Sequence, residues 1–103
     1  MKELESKFKG VGEVKGFKYN RIKTTETMYV YSVHTGESTH FEVFERRTVP
    51  LCIDFEKRIY SETERKETYP KSNAFGVWAW TASTMKRAIE ILENKTESKL
   101  IEQ

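Results

Sequence analysis

Residues 28–34, MYVYSVH, and 39–47, THFEVFERR, are two runs of β-branched and aromatic residues joined by TGES (35–38). Such runs favour strands, and a glycine-containing connection this short favours a hairpin. The turn sets the register. If Gly36 and Glu37 form a two-residue turn, His34 pairs with Thr39, Val30 meets Val43 and Tyr29 meets Phe44. A five-residue loop would instead pair His34 with His40, Val33 with Phe41 and Tyr31 with Val43. The shorter turn is favoured, because Gly at its first position suits the hairpin twist. Side chains alternate across a strand, so His34 and His40 then lie on opposite faces.

Further strands flank this hairpin. Phe17 and Tyr19 alternate with Lys18, which predicts a first strand over about 13–22, with Gly16 marking a bulge or a close backbone approach. VPLCIDF (49–55) places Val49, Leu51, Ile53 and Phe55 on one face, the pattern of a half-buried strand, with Pro50 at its start or on an edge. Residues 61–73 read as an exposed loop, a charged edge strand or a disordered segment. FGVWAWTA (75–82) reads as a strand with Phe75, Val77 and Ala79 on one side and Trp78 and Trp80 on the other. Its Ala and Gly would also fit a short helix. Ser83 then caps a helix over about 84–93, whose stripe is Met85, Ala88, Ile89 and Leu92.

Strands in series followed by one helix imply an α+β fold. The expectation is a four- to five-stranded, mainly antiparallel sheet with one C-terminal amphipathic helix packed on one face. The 103 residues fit a single domain, 1–103, with 1–11 and 95–103 frayed or disordered. The predicted structural core is Phe75, Val77, Trp78, Trp80, Met85, Ile89 and Leu92. One helix covers one sheet face, so the other is expected to be solvated, paired with another subunit or used for binding.

Several chemistries lack support. The lone Cys52 excludes an internal disulfide and a multi-cysteine zinc site, and suits a reducing cytoplasm. A nucleophilic pair of Cys52 with His34 or His40 has no local signature. A metal site drawn from His34, His40, Glu42 and Asp54 would need the longer hairpin loop. Gly10, Gly12 and Gly16 precede a strand rather than a helix, so they do not form a phosphate loop. No catalytic residue, metal ligand or cofactor is assigned. No apolar leader or membrane-length run is present, and the expected location is cytoplasmic.

The 18 basic and 16 acidic residues give a net charge of +2 and are interleaved, as in FERR and SETERKE. That is the pattern of a solvated mixed-charge surface. Aromatics reach 13%, more rings than one side of one small sheet can bury. The leading expectation is therefore a non-catalytic module that binds a protein partner or self-associates, through Tyr29, Tyr31 and Tyr60 on the face away from the helix. The alternative is a single-stranded nucleic-acid binder, with bases stacked on exposed rings and phosphates held by Arg46, Arg47, Lys57 and Arg58. A small-ligand pocket or an enzyme of unknown type is the third.

HFEVFERR, followed by YPKSNAFGVWAWTASTMKRAIEIL, resembles small uncharacterised proteins of phages and mobile elements of gut bacteria, over roughly residues 26–93. The resemblance implies a bacterial cytoplasm and an accessory role. It brings no catalytic or binding residues.

Overall fold

The computed structural model describes the backbone of residues 2–101 and the side chains of residues 2–95. The elements follow in the order β1 (Lys7–Lys9), β2 (Lys18–Thr24), β3 (Met28–His34), β4 (Thr39–Glu45), β5 (Arg47–Asp54), β6 (Ile59–Thr68), β7 (Ala79–Ala82) and α1 (Met85–Ile101), with 3-10 turns at Gly12–Val14 and Ser72–Ala74. The fold is α+β. A five-stranded sheet runs β1-β2-β3-β4-β7, and β5 and β6 form a separate two-stranded ribbon. All of these strand pairs are antiparallel.

The β3–β4 hairpin takes the two-residue turn. His34 pairs with Thr39, Val30 with Val43 and Tyr29 with Phe44. Gly36 adopts φ +97°, a conformation that side chains disfavour. β3 lies at the centre of the sheet and is buried from Met28 to Val33.

Strand alternation therefore builds two cores. On one face Met28, Val30, Val43 and Ala82 meet Ala88, Ile91 and Leu92 of α1. On the other face lie Tyr19, Tyr29, Tyr31, Val33, Phe44 and Ala79. This second face is not open, as the single helix had suggested. Leu4, Phe8, Tyr69, Ala74, Phe75 and Trp78 cover it. Tyr69 is the hub of this cover, with ring centroids 4.7 Å from Phe44, 5.1 Å from Tyr19, 5.4 Å from Tyr31 and 5.6 Å from Phe8. Such tilted and edge-on pairs add roughly 0.5–1.5 kcal/mol each beyond area burial. The surplus of rings thus fills a second core.

That cover corrects the reading of the N-terminus as frayed. Phe8 stacks on Tyr19 at 4.7 Å, β1 pairs with β2, and Lys2 bridges Lys66. The strand expected over about 13–22 is β2 and begins at Lys18, because Gly12–Val14 forms a 3-10 turn. The bulge in β2 falls between Arg21 and Lys23, not at Gly16.

The C-terminal region shifts in phase. Gly76 at φ +88° turns the chain, and its N–H donates to the Ala79 carbonyl at 2.7 Å. Strand alternation therefore starts only at Ala79. Trp80 pairs with Val43 and packs on the helix side, whereas Trp78 packs on the tyrosine side. The two tryptophans point to opposite faces, not to one. Val77 falls in the turn and is 68% exposed, so it is not a core residue.

The helix is capped by Thr84 rather than Ser83: its Oγ1 accepts from the Arg87 N–H at 3.1 Å. The buried stripe is Ala88, Ile91 and Leu92, with Ile89 packed at its margin. Met85 is 39% exposed and leaves the predicted core. The helix continues past Asn94 to Ile101, and residues 102 and 103 lie outside the described residues.

Candidate binding groove

The ribbon β5–β6 stands apart from both cores. Its strands pair evenly from Arg47 with Thr68 to Pro50 with Arg65, then resume only at Cys52 with Tyr60 and Asp54 with Ile59. The ladder is interrupted twice. Residues 61–64 bulge out of β6, where Ser61 Oγ accepts from the N–H groups of Thr63 and Glu64 at 3.2 and 2.8 Å. Ile53 is the unpaired residue of the second bulge. Asp54 Oδ1 accepts from the Lys57 N–H at 3.1 Å and closes the tip, where Arg58 takes φ +54°. Bulges bend and twist a ribbon, and they weaken its edges as templates for further strands.

The alternation of Val49, Leu51, Ile53 and Phe55 had predicted a half-buried face. At the tip its side chains are left exposed. Ile53 is 66% exposed, Phe55 85%, Ile59 46% and Tyr60 52%. Alternation reports an amphipathic strand but not which element, if any, covers it. The former candidate pair Tyr29 and Tyr31 is fully buried and cannot meet a partner, so only Tyr60 of the three tyrosines lies on the surface. Residues 61–68 belong to the charged edge strand, and Tyr69, Ala74, Phe75 and Trp78 of the segment that follows pack on the tyrosine core.

Between the ribbon and this covering segment lies an open groove of about 580 Å³. Phe55, Tyr60, Tyr69 and Trp78 supply aromatic wall, and Val49, Pro50 and Cys52 supply the rest of the apolar lining. Lys66, Thr68, Lys71 and Asn73 supply its polar side chains. The Arg47 guanidinium sits 4.9 Å from the centroid of the Trp78 ring and also pairs with Glu45 at 3.2 Å. Sequence reasoning missed Lys66 and Lys71, because nothing in a charged run tells which cation faces a groove.

Glu67 anchors the base of the ribbon. Its carboxylate accepts from Arg46 Nε at 2.8 Å, from the Leu4 N–H at 3.1 Å and from the Tyr29 hydroxyl. Arg46 also donates to the Thr25 carbonyl at 3.0 Å and to Glu3 at 2.9 Å, and lies 4.6 Å from the Tyr29 ring centroid. Burial alone would raise the Glu67 carboxyl. The bonds from Tyr29, Arg46 and Leu4 outweigh it and hold the group below its ordinary value. Arg46 is thereby consumed inside the protein and is not a phosphate contact. Of the other candidates, Arg47 is half-exposed, and Lys57 and Arg58 are exposed at the tip.

A second polar cluster joins Glu42 to His40 Nε2 at 3.0 Å and to the Tyr69 hydroxyl. Burial, then the Glu42 charge, pushes the Tyr69 phenol well up, so it serves as a donor and not as a base. His34 bonds Thr39 at 2.8 Å on the other face of the hairpin. Among the described residues no group of three or more His, Cys, Asp and Glu could hold a metal ion. No described helix is long and apolar enough to cross a membrane. No family model, curated protein or solved structure matches the chain.

Proposed function

We propose that the chain is a non-catalytic binding module that engages a protein partner through the β5–β6 ribbon and the groove beneath it. One observation carries this reading. Ile53, Phe55, Ile59 and Tyr60, 46–85% exposed, all fall at the tip end of a ribbon whose strands contribute to neither core cluster. Exposed apolar side chains gathered on one projection are costly unless they meet a partner, and aromatic anchors dominate such contacts. The resemblance to phage and mobile-element proteins adds an accessory role.

The test is capture from bacterial lysate, with and without nuclease, by wild-type protein and by a Phe55→Ser/Ile53→Ser variant. A protein retained after nuclease by the wild type and lost by the variant supports the reading. Equal retention by both variants, or no retained protein, rejects it. Lys57 and Arg58 beside Phe55 support a second reading, single-stranded nucleic acid. In that case retention disappears with nuclease, and binding falls steeply as salt rises.

A further inference from the structure

We infer that the groove takes an extended acidic peptide bearing a large apolar side chain; this rests on the binding-module reading and specifies its partner. The charge of the lining is the first ground. The chain as a whole is close to neutral, at +2, yet the groove is lined by Lys66 and Lys71 and by no carboxylate. Arg46, Arg47 and Arg87 are all ion-paired, whereas among the described residues neither Lys66 nor Lys71 has an ion-pair partner. Two unpaired ammonium groups beside apolar surface attract carboxylates on approach.

The walls are the second ground. Phe55, Tyr60 and Trp78 present ring surface to the groove, and Pro50 and Val49 extend it. At about 580 Å³ the groove lies within the range that encloses a small ligand, and it is open enough to admit a chain. Asn73 lines it and offers both amide donor and carbonyl acceptor to a peptide backbone.

A peptide fits this arrangement better than a nucleic-acid strand. Asp54 and Glu56 lie at one end of the ribbon, and Glu62 and Glu64 lie in the bulge of β6. A strand of phosphates carries charge at every step, and at the tip the carboxylates of Asp54 and Glu56 offset the charges of Lys57 and Arg58. A peptide can place its acidic residues opposite Lys66 and Lys71 and neutral residues elsewhere.

The test is selection from a phage-displayed library of short random peptides on the immobilised full-length chain. Enriched peptides are then measured by fluorescence anisotropy against wild type, Lys66→Glu/Lys71→Glu and Phe55→Ser. Both lysines and Phe55 are exposed, so the variants keep the wild-type melting temperature. The expected result is enrichment of Asp or Glu beside Phe, Trp or Leu, with affinity reduced about tenfold or more in the double charge reversal. Enriched peptides without acidic residues, or indifferent to the charge reversal, overturn the inference. If they still depend on Phe55, the binding-module reading stands without it. No enrichment, or an oligothymidylate bound in place of any peptide with the same dependence on Lys66 and Lys71, also overturns it. In that event lysate capture alone decides the broader reading.

Discussion

Arg46 Nε lies 2.8 Å from Glu67 Oε2, and this part-buried pair fastens the ribbon to the rest of the protein. Glu67 sits in β6, Arg46 follows β4, and the same carboxylate holds the Leu4 N–H and the Tyr29 hydroxyl. Three segments distant in sequence thus meet on one side chain. Removing the Arg46 guanidinium leaves the Glu67 carboxylate without its cation, at a cost of about 1–3 kcal/mol. Arg46→Ala should lower stability on that scale in urea denaturation, whereas Arg47→Ala, at an exposed pair, should change it by about 1 kcal/mol or less.

The same carboxylate gives stability an acid limit. The folded state holds Glu67 below its ordinary value of 4.5, so the unfolded chain binds the proton more readily. Its contribution is complete above that value and is lost as pH falls through the lower folded one. Urea midpoints followed downward from neutral pH should drop more steeply below pH 4.5 in wild type than in Glu67→Gln.

An alkaline limit arises from the tyrosine core. Burial pushes Tyr31 up to about 12 from 10.0, and burial with the Glu67 hydrogen bond does the same for Tyr29. These groups ionise more easily in the unfolded chain. Their stabilisation is complete below pH 10.0 and declines as pH rises toward about 12. Phenolate absorbance and loss of near-ultraviolet dichroism should therefore rise together in that window. Ionisation of both groups well below it, with the fold retained, would contradict their burial.

Arg58 carries a positive φ of 54° at the ribbon tip. A left-handed conformation costs a side-chain-bearing residue about 1–2 kcal/mol, which Gly avoids while losing more chain entropy. Arg58→Gly should stabilise the ribbon by about 0.5–1 kcal/mol, measured as slower amide exchange at Cys52 and Tyr60. Arg58→Val should do the reverse.

The phase of α1 is testable by paired substitutions. Leu92→Ala should cost about 2–5 kcal/mol, because Leu92 is only 3% exposed against Val30 and Val43. Met85→Ala should cost less, about 1 kcal/mol, since Met85 is 39% exposed and lies outside the buried cluster. Thermal denaturation of the two variants distinguishes this phase from one in which Met85 leads the buried stripe.

The hairpin and its register were legible because local rules decide them: β-branched runs, a glycine turn and strict alternation. The helix was legible to within one residue at its start, and the cap moved from Ser83 to Thr84 because Thr84 Oγ1 reaches the Arg87 N–H. What the sequence could not show was coverage. Tyr29 and Phe55 look alike in alternating strands, yet Tyr29 is buried among residues as distant as Leu4 and Glu67, while Phe55 is 85% exposed. Trp78 and Trp80 were separated by Gly76, whose turn delays the start of β7. The groove depends on Lys66 and Lys71 meeting Tyr60 and Trp78, a long-range arrangement with no local pattern.

The most direct measurement is site-specific photo-crosslinking in cells, with a photoreactive amino acid at Phe55 in one variant and at Arg87 on the outer face of the helix in another. Binding through the ribbon requires a discrete protein adduct at position 55 and none at position 87. An adduct at 87 alone, or none at 55, would contradict it.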